Sequence, residues 1–228
     1  MPRPRFEKLD PERQEAILDA ATRELAARGP EQASLNKILA DVGLSKGVAY
    51  YYFDDKQDLF VTVVSRVIDL AVRTIGGVGP VESAEDFWRE FRGLSERVFG
   101  FLREHPTIAA LAKRFASSPS AMNAPKVLAK YNAFRLWFSR FLRRGQEVGA
   151  VRKDVPLDLL AALAFALGEA LDHWTIANWD EVAKTEARLS AHLDMEMDLF
   201  RRAFNPERAR ENPDEPTPTR ESRPRKSR

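Results

Sequence analysis

Apolar residues recur every three or four positions along most of the chain, and no useful length alternates, so the pattern predicts an all-α fold. Asp10-Pro11-Glu12 has the form of a helix start: a capping Asp, Pro at the first helical position, then an acid in the first turn. Ile17, Ala20, Ala21 and Leu25 follow on one face, and Gly29-Pro30 stops that helix. Ser34 is the expected cap of a second helix with Leu35, Ile38, Leu39 and Val42 inward. After the break Val42-Gly43-Leu44-Ser45, Ser45 caps a third, short one. Asp55-Lys56-Gln57-Asp58 resembles a capping box with Asp in place of Glu and opens a fourth helix running to about Ile75. Gly76-Gly77-Val78-Gly79-Pro80 then interrupts the pattern. Beyond it the spacing predicts helices over 83–104, 106–117, 125–148, 155–178 and 180–204.

This organisation implies a compact N-terminal three-helix module over 1–56. A C-terminal helical domain over 57–204 follows, with 57–75 as the connecting helix. From Asn205 aromatic and branched aliphatic residues vanish. Residues 205–228, charged and proline-rich, are expected to be a disordered tail, because they cannot bury enough apolar surface to offset ordering entropy.

Composition narrows the function. The 228 residues are 44% hydrophobic, enough for a sizeable core, and hold no cysteine. That excludes disulfides, thiolate zinc sites and a cysteine nucleophile. The N-terminus has positive charge without an apolar stretch behind it. The longest apolar run, Leu159 to Gly168, is about half a membrane span, so a soluble cytoplasmic protein is expected. Net charge is only +2, and residues 1–56 carry nine Lys and Arg against ten Asp and Glu. Nucleic-acid binding must therefore rest on a local patch: Arg3, Arg5 and Lys8 on an arm, with Lys37, Lys46 and Lys56 near the motif.

The motif is the stretch from 34 to 60, where three of the four tyrosines stand together as Tyr50, Tyr51 and Tyr52. A short helix, a glycine turn and a second helix with clustered hydrogen-bonding aromatics is the layout of a helix-turn-helix reader of duplex DNA. The N-terminus of the second helix suits a phosphate, Lys46 adds charge, Gly47 permits close approach and Val48 offers methyl surface to a thymine. Consecutive helical residues lie about 100° apart. With Ala49 and Phe53 inward, Tyr50 and Tyr51 point outward and Tyr52 lies at the edge.

Gly43-Leu44-Ser45-Lys46-Gly47-Val48-Ala49-Tyr50-Tyr51-Tyr52-Phe53, followed by Asp54-Asp55-Lys56-Gln57-Asp58-Leu59-Phe60, resembles the signature of the TetR family of transcriptional regulators. That signature runs close to G-[VI]-S-x-G-x-[LF]-Y-x-[HY]-F-x-[SDN]-K-x-x-L, and the resemblance covers about 50 residues. It implies a phosphate contact from the Ser34 cap and from Lys46, Tyr50, Tyr52 and Lys56, with Gly47, Val48 and Tyr51 at base edges. Ser45, at the helix start, joins them. Ala49 and Leu39 depart from the usual residues at their positions, and Val48 replaces a frequent Thr or Ser.

The resemblance further implies that 1–56 is a helix-turn-helix DNA-binding domain and 57–204 a helical ligand-binding and dimerisation domain. It implies a homodimer, paired through the last two helices, on a palindromic operator, and release by a small-molecule effector. Leu163, Leu167, Leu171, Leu189, Leu193 and Met197 are the candidate dimer residues. An apolar or aromatic effector is expected among Trp88, Phe91, Arg114, Phe115, Tyr131, Phe134, Trp137, Phe138, Glu169, His173 and Trp174. Phe99, Phe141, Arg135 and Asp172 lie in the same aromatic and charged stretches. Glu169 with His173, and His192 with Glu196, share helix faces, yet three histidines without a second matching motif lead us to expect no metal and no cofactor. No phosphate-binding glycine loop, nucleophile elbow or HExxH occurs, so an enzyme is not expected. The competing reading is a helical interaction protein without DNA binding.

Overall fold

The computed structural model of the chain describes residues 2–116 and 125–206. Among these residues the structure is helical throughout, with no strand. The helices are α1 (Pro4–Glu7), α2 (Pro11–Gln32), α3 (Leu35–Asp41), α4 (Lys46–Tyr52), α5 (Lys56–Ile75) and α6 (Ala84–Glu104). They continue as α7 (Pro106–Ala116), α8 (Pro125–Glu147), α9 (Leu157–Ala177), α10 (Trp179–Val182) and α11 (Glu186–Phe204). The Ser-Pro-rich break between α7 and α8, and the tail from residue 207, lie outside the described residues.

Local chemistry accounts for the boundaries. Pro11 starts α2, although the Asp10 side chain makes no capping bond. Its carbonyl accepts from the Arg13 and Gln14 N–H groups instead. At Gly29 φ is 76°, a left-handed value suited to glycine, and the helix resumes for one last turn after Pro30. Asp55 caps α5 by accepting from Asp58 N–H at 2.7 Å. The reciprocal bond is displaced by one residue, because Asp58 accepts from Asp54 N–H at 3.3 Å. A true capping box, Ser83 with Asp86, opens α6.

Two expectations change. The basic arm folds into α1, because Phe6 is drawn into the core and sets a helical turn around itself. The helix expected over 180–204 divides, because the chain turns at Ala183–Thr185 and the Thr185 hydroxyl caps a fresh helix by accepting from Arg188 N–H at 3.2 Å.

The first apolar core gathers Phe6, Ile17, Leu25, Ile38, Phe53, Phe60 and Val63 with Leu111 from α7 and Val127 from α8. A cut at residue 56 therefore does not separate two cores; α2 and α7 are packed against each other along their lengths. The second core is dominated by aromatics of α6, α8 and α11, among them Phe87, Trp88, Phe91, Phe141 and Phe200. Phe87 and Phe141 stack at 4.5 Å. A third, small cluster joins Phe99 to Val182, Leu189 and Leu193.

By length and composition α9 could cross a membrane. Here it packs Leu160, Ala161, Ala164 and Phe165 inward and carries Glu169 and Asp172. Helix α8 meets the second core at Gly145, where a β-carbon would stand 2.6 Å from both the Phe87 ring and Val151. Gly145→Ala should therefore destabilise the fold by about 1–3 kcal/mol despite the better helix propensity of alanine. Denaturant unfolding of the two proteins checks this, and an unchanged or raised midpoint would contradict it.

Candidate functional site

Helix α3 is anchored at both ends. At its start the Ser34 hydroxyl accepts from Lys37 N–H at 3.3 Å, while the Ser34 N–H donates to Glu24 Oε1 on α2 at 3.1 Å. Glu24 is buried and also pairs with Lys37 Nζ at 2.9 Å and Arg28 Nε at 3.3 Å. Burial raises its carboxyl, but the bonds from Lys37 and Ser34 and the charges of Lys37 and Arg28 outweigh this. The group is held below the ordinary glutamate value. At the other end Leu44 N–H reaches Leu39 O at 2.8 Å and Gly43 N–H reaches Ala40 O at 3.1 Å. This is a Schellman closure, and it needs the left-handed φ of 65° at Gly43.

That turn presents α4. Val48 N–H donates to Ser45 O at 3.0 Å in the first turn. Gly47 is exposed, with open space where a side chain would project. Phe53 is buried, Tyr52 is half-buried, and Tyr50 and Tyr51 are each 47% exposed. The side chains of Lys46 and Ala49 lie outside the described residues. Ser45, Gly47, Tyr50 and Tyr51 are exposed, and Ser34 and Val48 are half-buried.

The basic patch is tied down. Lys37 is held by Glu24, and Lys56 donates to Glu31 O at 3.0 Å while lying 5.1 Å from the Phe60 ring centre. The arm docks on the recognition helix: Arg3 N–H donates to Tyr52 O at 2.8 Å, and Arg3 Nε pairs with Asp54 at 2.8 Å. Phe6 packs 4.8 Å from Phe53, and the Arg5 guanidinium lies 4.3 Å over the Tyr51 ring. Sequence pattern placed these cations near the motif without revealing their partners, because none of the pairs with Glu24, Glu31 or Asp54 has helical spacing.

In the helical remainder a cavity of about 200 Å³ opens between α6, α8, α9 and α11. Of the expected effector residues, Phe91, Tyr131, Phe134, Phe138 and Glu169 line it. Trp88 is buried beside the cavity wall in the second core, and Trp137 packs against that core from a separate groove. Arg114 is turned away, donating to Ala27 O of α2 at 3.1 Å. His173 bonds to its own helix at Glu169 O, and Trp174 is exposed and stacked 5.7 Å from His192. The Phe115 side chain lies outside the described residues. Phe165, Asp172, Glu196 and Phe200 also line the cavity. Glu196 and Phe200 carried a helical signal, but on the helix assigned to dimerisation.

The dimer residues are corrected too. Leu189, Leu193 and Met197 are buried within the protomer, and Leu167 and Leu171 pack partly against its second core. Only Leu163 of the set stands exposed; Leu159, Trp174, Met195 and Leu199 share that condition. The apolar stripe of α11 is broad, and its inward half is taken by the aromatics of α6.

Residues 17–63 match the family model described as bacterial regulatory proteins, tetR family. This is the segment from the buried face of α2 through the turn and α4 to the first half of α5. Over this segment the chain matches the TetR family. An HTH-type transcriptional regulator of Haemophilus influenzae is 27% identical over 106 residues, 46% of this chain and 56% of that protein. The chain thus spans just over half the length of that relative. The repressor AcnR of Corynebacterium diphtheriae is 26% identical over 151 residues, 65% of this chain and 73% of its own. Two solved structures share the fold. SmeT, repressor of the Stenotrophomonas maltophilia multidrug efflux pump SmeDEF, superposes with a TM-score of 0.65 at 18% identity, covering 87% of this chain and 92% of that one. FadR of Bacillus subtilis in complex with stearoyl-CoA does so at 0.61 and 17%, covering 81% and 96%. The TetR family is one of transcriptional regulators, not of enzymes.

The Glu24 network has a signed consequence for stability. A depressed carboxyl contributes stability that is present above its unfolded value and lost as pH falls through the folded one. Glu24→Gln should cost roughly 1–2 kcal/mol near neutral pH, and the deficit should close as pH drops below about 4. Urea unfolding across pH 3–8 checks it; a pH-independent deficit would assign the loss to packing alone.

Proposed function

We propose that the chain is a cytoplasmic, ligand-responsive transcriptional repressor that binds a palindromic operator as a homodimer and is released by a small-molecule effector. The observation that carries this reading is the outward surface of α4, with Gly47, Tyr50 and Tyr51 free to meet a groove while Phe53 holds the helix to the core. Ser34, Ser45, Lys46, Tyr50, Tyr52 and Lys56 then meet phosphates, and Gly47, Val48 and Tyr51 meet base edges. The Lys56 bond to Glu31 O and the Arg3 pair with Asp54 would be exchanged for phosphate contacts on binding.

Homodimerisation rests on the exposed apolar face of α9 and α11. Leu159, Leu163 and Trp174 run along the first helix, and Met195 and Leu199 along the second. Exposed apolar residues on two adjacent helices favour a four-helix interface with a second copy, and they give α9 a protein neighbour in place of lipid.

Effector control is supported by the route from cavity to DNA surface. Helix α6 walls the cavity and leads through His105-Pro106 into α7. In turn α7 is packed along α2, and Arg114 fastens it to the Ala27 carbonyl. α2 carries Glu24, which holds the start of α3. A ligand that favours one setting of α6 and α7 would bias the separation of the two recognition helices by its differential affinity.

Selection of random duplex DNA by the purified protein at about physiological salt should recover a palindrome, since nonspecific binding is weak there. Recovery of no motif by folded dimer would move the reading to an interaction protein. On the recovered site, Lys46→Ala should weaken binding to all sequences and lower the salt slope by about one. Tyr51→Ala should instead relax preference at particular base pairs, at roughly 1–3 kcal/mol. Leu163→Arg should give a folded monomer by light scattering with operator binding largely lost; a dimer that survives it would place the interface elsewhere.

A further inference from the structure

The cavity wall is unusual in its charge. Its polar side chains include three carboxylates, Glu169, Asp172 and Glu196, together with Tyr131 and Ser95, and among the described residues its lining holds no lysine, arginine or histidine. The rest of the wall is largely aromatic: Phe91, Phe99, Tyr131, Phe134, Phe138, Phe165 and Phe200.

Glu196 is the informative member. It is only 5% exposed, and its recorded partners are His192 Nε2, at 3.0 Å from Oε1, and Thr175. His192 is itself buried, which lowers its proton affinity and keeps it neutral near pH 7. Glu196 is thus an acid almost wholly withdrawn from water, on a cavity wall, without a cation beside it. Such an isolated charge is costly in a protein interior, and the group resists ionising instead. Burial and the nearby charge of Asp172 push its pKa up to about 7, against a smaller opposing effect of the Thr175 hydrogen bond. On α9 Glu169 accepts from the Tyr131 hydroxyl. The rings show their own preference, because the exposed Arg135 places its guanidinium 4.6 Å over Phe165 and 5.8 Å over Tyr131.

We infer that this cavity selects an aromatic or aliphatic organic cation, with its positive head between Glu196, Asp172 and the ring faces and its apolar body along Phe91, Phe138 and Phe165. The inference rests on the effector reading proposed above and narrows it to a charge class. Two terms favour it. A cation would restore charge balance to a withdrawn carboxylate, and aromatic faces present negative potential to a quaternary ammonium. An anionic ligand meets neither condition, since Arg135 lies on the outer ring faces and the described lining residues carry carboxylates rather than lysine or arginine. The volume of about 200 Å³ limits the class to one ring or a short chain with a compact head.

The test uses three probes matched in shape: benzyltrimethylammonium, its uncharged carbon isostere neopentylbenzene, and 3-phenylpropionate. Binding is measured on the full chain without DNA, by calorimetry and by quenching of tryptophan fluorescence. Benzyltrimethylammonium should bind at least about tenfold tighter than the isostere, and phenylpropionate should be the weakest. Glu196→Gln, which keeps shape and removes charge, should abolish most of that preference. Asp172→Asn should reduce it independently, so the conclusion does not hang on one variant folding. Equal binding of cation and isostere, a preference that survives Glu196→Gln, or no binding of any probe would each overturn the inference. Adding operator DNA afterwards separates the two proposals. A cation that binds selectively yet leaves DNA affinity unchanged contradicts effector control, not charge selection.

Discussion

The arrangement of the DNA-facing surface hangs on one buried carboxylate. Glu24 stands inside α2, yet its oxygens serve the start of α3 through the Ser34 N–H and Lys37. A withdrawn acid stays ionised only when it is paired and hydrogen-bonded, and Arg28, Lys37 and Ser34 all meet Glu24 at one point. That point sets where α3 begins. Seven residues later the Gly43 closure sets where it ends, and the direction of α4 follows. Ordinary apolar packing of Ile38 and Phe53 would hold these short helices loosely, since a non-directional force fixes no starting residue.

The two carboxylates of opposite fate make an instructive pair. Glu24 and Glu196 are buried to similar extents, but the first has cations and an N–H around it while the second has a neutral histidine and a hydroxyl. One is held ionised and organises structure. The other is held near its protonation point and faces empty space. Burial alone therefore says little about what an acid does; its neighbours decide.

Much of the fold was legible in the chain because its signals are local. Asp55, Ser83, Gly76 and Gly149 act within one turn of their own positions, so helix boundaries could be read within a few residues. The outward set of α4 was legible for the same reason, since neighbours on a helix fix one another's directions. What escaped depends on partners distant in sequence. The arm became a helical turn because Phe6 found Phe53, and the cations near the motif acquired acids or carbonyls with no helical spacing to betray them. On α11 every fourth residue is apolar, which shows that a face is buried without showing against what. Leu189, Leu193 and Met197 turned inward because the aromatics of α6 claimed them first.

The engagement of Lys37, Lys56 and Arg3 by internal groups has a consequence at the scale of a chromosome. Nonspecific attraction to DNA grows with the number of cations ready to displace counterions, and a genome offers millions of sites that compete on those terms. A module with nine basic and ten acidic residues over 1–56, of which Lys37, Lys56 and Arg3 are already engaged, would hold poorly to that bulk. Few molecules are sequestered on irrelevant sequence. Under the proposed function, a small number of copies per cell would then be enough to keep an operator filled.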